Sequence, residues 1–312
     1  MELHRPSGRV WLGLGLASTT MLLWGFLPLA LQLALRSLDA VTITAFRFVV
    51  AASLLFLFLW QRGKLPPLRS LSRGEWWLLL VAVLALTANY VAYLMGLDRT
   101  SAANAVVLIQ AAPLLLALGA LVVFREHFTP LQWLGFAVIV VGLGIFFSGQ
   151  LRALAAEAGR YKGGVALLAL AAVTWAGYGL AQKQLLHTLP SQAVMLCLYA
   201  GCAACLLPAS HPAALTALSP VAWLALVFCA LNTLVAYGTF GASLEHLAAS
   251  RVSAVLALTP LATLVCATAA ARLAPGWFPA ESLDTRSVTG AVLVVAGSLA
   301  TSLGVRPQSV RR

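Results

Sequence analysis

Acidic residues are scarce: nine Asp and Glu in 312 residues, none of them in the middle of an apolar run. Proton-coupled carriers often relay protons through a buried carboxylate, so a relay of that kind is not written into the apolar segments. Charged residues of either sign make up only 9%, against roughly a quarter in soluble domains. A water-soluble fold of this length could not cover its surface with so few. There is no Gly-rich phosphate loop, which excludes ATP as the direct energy source. The histidines, His4, His127, His187, His211 and His246, all fall near the ends of apolar runs or between them. Clustered chemistry at membrane depth, and with it a membrane-embedded enzyme, is disfavoured. The five cysteines, Cys197, Cys202, Cys205, Cys229 and Cys266, lie inside apolar runs. Cys202 and Cys205 have C-x-x-C spacing without histidine or polar context, so they read as small packing residues. No metal and no cofactor is expected. Strand-like alternation is absent, which argues against a membrane β-barrel.

What is present is apolar. Hydrophobic residues make up 61% of the chain, in runs of about 20, the length that crosses a bilayer as helix. Helices satisfy their own backbone in lipid, so the fold class is all-α and integral to a membrane. Ten spans are predicted, near 10–34, 38–60, 76–97, 101–124, 128–148, 163–186, 191–208, 219–243, 248–271 and 284–304. The longest breaks are "QRGKLPPLRSLSRGE" and "GQLRALAAEAGRYK". The N-terminal apolar stretch leads into no cleavage-like site and reads as a retained first span. The net charge of +11 is scattered between spans one or two residues at a time. It therefore sets topology and attracts anionic lipid, and implies no nucleic acid. With the N-terminus placed in the cytoplasm, twelve Lys and Arg fall inside and seven outside, with Arg47 left within a span. Both termini then lie in the cytoplasm, the expected membrane being a bacterial plasma membrane.

The chain also repeats itself. At a shift of 147, Pro113 falls on Pro260, Tyr90 on Tyr237 and Asp98 on Glu245. At 151, Arg9 falls on Arg160 and Trp24 on Trp175; at 155, Gly135 falls on Gly290 and Gly142 on Gly297. Two halves follow, 1–150 and 151–312, with five spans each. Five is odd, so the second half must enter the membrane from the opposite side, giving two inverted five-helix repeats. Secondary transporters that alternate access around a midplane site are built this way. The prolines of the two central helices either line a cavity with freed carbonyls or make a packing kink.

The motifs "LLWGFLP", "FRF", "TSAANAVVLIQAAPLLLALGALVVFRE", "TPLQWLGFAVIVVGLGIF", "TWAGYGLAQK" and "SRVSAVLALTPL" recur in one order over nearly the whole chain. In that order the sequence resembles the EamA-type members of the drug/metabolite transporter superfamily. The resemblance implies a carrier of small organic solutes, amino-acid-like metabolites or drugs, often exported. It departs from the pattern at "RLAPGWFPAES". A sugar or nucleotide-sugar carrier of the same fold is the alternative, though it would want more intramembrane cations than Arg47 and Lys183.

Polar and aromatic groups within spans should face the bundle interior. The candidates for lining a substrate pocket are Trp24, Arg47, Asn89, Tyr93, Gln110, Trp175, Tyr178, Gln182, Asn232 and Tyr237. Gln110, Asn89, Tyr93 and Trp175 are expected to converge near the midplane. Each polar group has interhelical hydrogen bonding as its alternative, and each aromatic has bulky packing. Arg125 and Glu126 read as an interfacial anchor. Arg47, about ten residues into the second span, has no buried carboxylate to pair with. It must meet backbone carbonyls at a broken helix, snorkel to an interface, or bind an anionic group of the substrate.

Overall fold

The computed structural model describes the backbone of residues 9–66, 71–123, 129–156, 158–186, 188–246, 252, 255–256, 258–278 and 285–303. Among them the regular elements are all helical. They are α1 (Val10–Leu35), α2 (Ala40–Gln61), α3 (Arg73–Arg99), α4 (Ala102–Leu108), α5 (Ala111–Val123), α6 (Pro130–Ala156), α7 (Ala158–Leu185), α8 (Ser191–Leu206), α9 (Pro220–His246), α10 (Thr259–Leu273) and α11 (Thr285–Leu303). Six segments, within α1, α2, α3, α7, α9 and from Ser191 to Ala209, are long and apolar enough to cross a membrane. Shorter apolar helices occupy Pro130–Phe146, Thr259–Leu273 and Thr285–Thr301. Trp11, Trp60, Trp76, Trp77 and Trp133 are exposed near helix ends, where amphipathic rings sit at the level of lipid headgroups. Leu224 and Val265 are 73% and 70% exposed, which suits lipid and not water. The protein is a multi-pass integral membrane protein.

The fourth predicted span is two helices. Ile109 and Gln110 form a turn between α4 and α5. The cause is Pro113, which has no N–H to offer the carbonyl four residues back. That carbonyl belongs to Ile109, and it accepts instead from the Ala112 N–H at 2.9 Å. The pseudo-equivalent span shows the same feature: Leu258 is a turn residue and Pro260 lies in the first turn of α10. Most of 247–257 lies outside the described residues, as do Arg125, Glu126 and the C-terminal tail.

Two boundaries differ from expectation. The break "GQLRALAAEAGRYK" is helical on both sides of Glu157. Its run of Ala and Leu keeps the helix going after its polarity has left the apolar range. Beyond α8, Leu207–Ala209 and Pro212–Ala217 form short 3₁₀ turns, because Pro208 and Pro212, within their first two positions, cannot continue an α-helical ladder.

Compact packing does not follow the sequence halves. One unit comprises 1–26, 121–158 and 235–312; the other comprises 27–120 and 159–234. Each therefore draws helices from both halves. In the first unit α6 and α11 pack antiparallel at glycine. A Cβ built on Gly135 would lie 2.7 Å from the Gly297 oxygen, and one on Gly142 would lie 2.9 Å from the Gly290 oxygen. The pairing is reciprocal: exchanging each glycine for its partner at a shift of 155 turns one contact into the other. Only residues without a Cβ let two backbones approach so closely.

In the second unit, contacts join segments that an alternating topology puts on one membrane face. Arg160 reaches the Asp98 carboxylate at 3.3 Å, between the starts and ends of α7 and α3. His211, beyond α8, donates its N–H to the Thr42 hydroxyl at the start of α2, 2.9 Å away. Asp39 caps α2 by accepting from the Val41 and Thr42 N–H groups, both at 2.9 Å. Partial burial would raise its pKa, but bonds from the Thr42 hydroxyl and N–H, from His211 and from the Val41 N–H outweigh that, and the carboxyl is held below its ordinary value. Its stabilising contribution is therefore full above the unfolded carboxylate pKa and fades as pH falls through the lower folded value. Asp39→Ala is expected to cost ~1 kcal/mol, as cap removals do. Thermal unfolding in detergent should show the deficit near neutral pH and a narrower gap in acid. An equal gap at every pH would refute the assignment.

Candidate functional site

The second unit holds Arg47, the only charged side chain in the core among the described residues, 2% exposed. It is the eighth residue of α2, so at ~1.5 Å per residue it lies about 10 Å from the helix start, short of the helix midpoint. It does not snorkel. Its Nε donates to the Thr233 hydroxyl at 3.1 Å, and its guanidinium carbon lies 5.0 Å from the centre of the Tyr90 ring. Thr233 donates to the Cys229 carbonyl of its own helix at 2.9 Å, which fixes the oxygen that receives Arg47. Tyr199, the counterpart of Arg47 at a shift of 152, donates its hydroxyl to the Thr233 carbonyl at 3.3 Å. Phe48 lies between Tyr90 and Tyr199, with ring centroids 4.7 and 5.9 Å away.

A cation at membrane depth costs at least ~2.5 kcal/mol on insertion scales. A hydrogen bond to a charged group returns ~1.5–3 kcal/mol and a desolvated cation–π contact up to ~2 kcal/mol. The cluster of α2, α3, α8 and α9 can therefore keep the charge folded inside without a carboxylate. The described carboxylates of this unit have other partners or lie at the helix ends: Asp39 meets His211, Asp98 meets Arg160, and Glu75 closes a capping box with Ser72.

The other candidates divide. Asn89 is buried and its amide donates to the Ala171 carbonyl of α7 at 2.8 Å, so this nitrogen ties α3 to α7. The first unit repeats the tie at the corresponding positions, Thr20 donating to the Ala236 carbonyl at 3.4 Å. Tyr178 and Gln182, one turn apart on α7, direct their O–H and N–H at the Met195 sulfur, at 3.9 and 3.4 Å. Trp175 packs edge-on to Tyr178. Tyr93 is half-buried and within electrostatic range of Arg47. Gln110 sits half-buried in the turn between α4 and α5. Asn232 is buried beside Thr233 on α9. Trp24 and Tyr237 belong to the first unit and meet edge-on, 5.4 Å between centroids, with Phe240 at 5.9 Å.

Tyr90, Thr233 and Tyr199 belong to the Arg47 cluster and were not legible as site residues. Tyr90 was visible only as a repeat match, and a threonine in an apolar run carries no signal. Asn104 on α4 was missed too: it is buried, and its Oδ1 has no hydrogen-bond partner among the described residues. The cysteines are all free, Cys202 buried and Cys205 exposed.

The fold and the sequence have counterparts. The EamA-like transporter family matches twice, over residues 11–148 and 162–303. A Haemophilus influenzae protein named only as an uncharacterized transporter is 32% identical, across 94% of this chain and 95% of its own. The Escherichia coli K12 inner membrane transporter YhbE, also named as uncharacterized, is 33% identical across 95% of this chain and 92% of its own. One crystal structure with 20% identity reaches a TM-score of 0.62 over 95% of this chain and 99% of that one, a likeness of fold. Two family matches laid end to end, on a helical membrane chain whose interrupted helices recur, leave one assignment: the chain belongs to the EamA-like transporter family.

Proposed function

We propose that the protein is a secondary transporter of the bacterial plasma membrane, moving small organic metabolites of amino-acid or drug type outward by alternating access. In this reading ten spans form two inverted five-helix repeats, 1–150 and 151–312, with both termini in the cytoplasm. The observation that carries it is the reciprocal antiparallel contact of α6 with α11, in which Gly135 meets Gly297 and Gly142 meets Gly290. Pseudo-equivalent helices running in opposite directions are what an inverted repeat requires, and such repeats rock around a shared site. The two interrupted helices, at Ile109–Gln110 and Leu258, support the same reading. Broken helices at membrane depth are tolerated where they line a cavity or are buried in protein. The test is reconstitution into liposomes preloaded with labelled amino acids, organic acids and amphipathic cations in turn. A carrier shows trans-stimulation, efflux of label rising when unlabelled solute is added outside. Release at one rate whatever lies outside would mark a channel or a leak and end the carrier reading.

A further inference from the structure

We infer that Arg47 is the anchor for the carboxylate of a transported monoanion or zwitterion with an apolar body. This rests on the carrier reading above and narrows its substrate class. The guanidinium has five N–H donors in a planar fork. Among the described residues only Nε makes a hydrogen bond, to Thr233, and no carboxylate stands within ion-pair distance. Thr233 and the face of Tyr90 fix one edge and one face of the group. The four hydrogens on Nη1 and Nη2 form the side of the fork that matches a carboxylate bidentately.

Charge balance selects the ligand. Arg47 is the only charged side chain in the described core. One monoanion neutralises it and a zwitterion pairs it through its carboxylate without changing the net charge; a dianionic phosphate would leave a net buried negative charge, and an organic cation would add a second positive one with no carboxylate to offset it. Tyr90, Phe48 and Tyr199 supply aromatic surroundings for an apolar body. Structural pairing, the competing account, predicts a filled fork, and among the described residues only its Nε corner is occupied.

The test uses the purified full-length protein in neutral detergent, with L-phenylalanine, L-leucine and benzoate as probes, each beside its amide, and inorganic phosphate as a fourth arm. Binding is read as ligand-induced thermal stabilisation. Wild type should be stabilised by at least one acid in a saturable way and by none of the amides. Arg47→Met, which keeps length and apolar volume, should remain folded and lose the response. Arg47→Lys, which keeps charge but not the fork, should bind about tenfold more weakly, ~1.4 kcal/mol. Acids that stabilise Arg47→Met as they do wild type would overturn the assignment, as would amides matching their acids. So would a panel in which no acid binds, or one in which phosphate binds best. If Arg47→Met fails to fold, equal acid affinity in wild type and Arg47→Lys overturns it. The liposome experiment separates the two proposals: Arg47-dependent binding without counterflow removes the carrier and leaves the anchor. Counterflow of uncharged solutes, untouched by Arg47→Met, does the reverse.

Discussion

Gly290→Leu should leave little folded protein to purify. A Cβ on Gly290 would stand 2.6 Å from the Gly142 oxygen and equally close to the Phe146 Cα. Both are backbone atoms, so no rotamer change relieves the clash, and α6 and α11 must separate. Overpacking in a tight interior ordinarily costs ~1–3 kcal/mol; here the leucine also removes the close contact that holds two helices together in lipid, where there is no hydrophobic drive between them. A loss of ~3 kcal/mol or more is expected, read as aggregation in size exclusion and a collapse of the thermal midpoint. The control lies on the facing helix, α6. A Cβ on Gly144 meets nothing within 4 Å, so Gly144→Leu should unfold near wild type. Similar midpoints for the two variants would refute the glycine interface.

The second large effect is all-or-none. In a background lacking the five native cysteines, a cysteine at Lys64 should resist an impermeant thiol reagent in intact cells, and one at Thr216 should react. Five spans separate the two positions, so they must face opposite sides if every span crosses. The clustering of Arg62, Lys64, Arg69 and Arg73 is the reason to expect the loop between α2 and α3 in the cytoplasm. Both positions are exposed in the structure, so failure to label reports the membrane barrier and not burial. A cysteine at Ser309 should behave like that at Lys64. Labelling of Lys64→Cys and Thr216→Cys from the same side would mean that one of the helices between them does not cross. The ten-span count would then fall, with the inversion of the halves.

Arg160 with Asp98, and His211 with Asp39, fit this parity without setting which side is which. Each pair joins segments separated by an even number of spans. Both are exposed pairs whose energetic worth is small. Their value is topological.

Much of this protein was settled by the order of its residues. Few charges and apolar runs of helical length leave only a helical membrane chain, because lipid offers backbone groups no other partner. The proline pair Pro113 and Pro260 marked where two spans must each lose a backbone hydrogen bond, since a missing N–H acts locally wherever the helix goes. Gly135, Gly142, Gly290 and Gly297 announced their own equivalence, and Arg47 stood out as a charge within a span with no buried carboxylate to pair with. Tertiary structure decided what the sequence had left open. It set the Ala171 carbonyl of α7 2.8 Å from the Asn89 nitrogen of α3, a tie that no sequence pattern displays. It brought Thr233 and Tyr90 to Arg47 from two other helices, and it paired α6 with α11 across the two halves. The division has one physical cause. Helix formation and helix breaking depend on neighbours within about a turn, which any stretch of sequence displays. The partner of a side chain in a bundle depends on how helices far apart in the chain are rotated and shifted against one another, and that is fixed only when they pack.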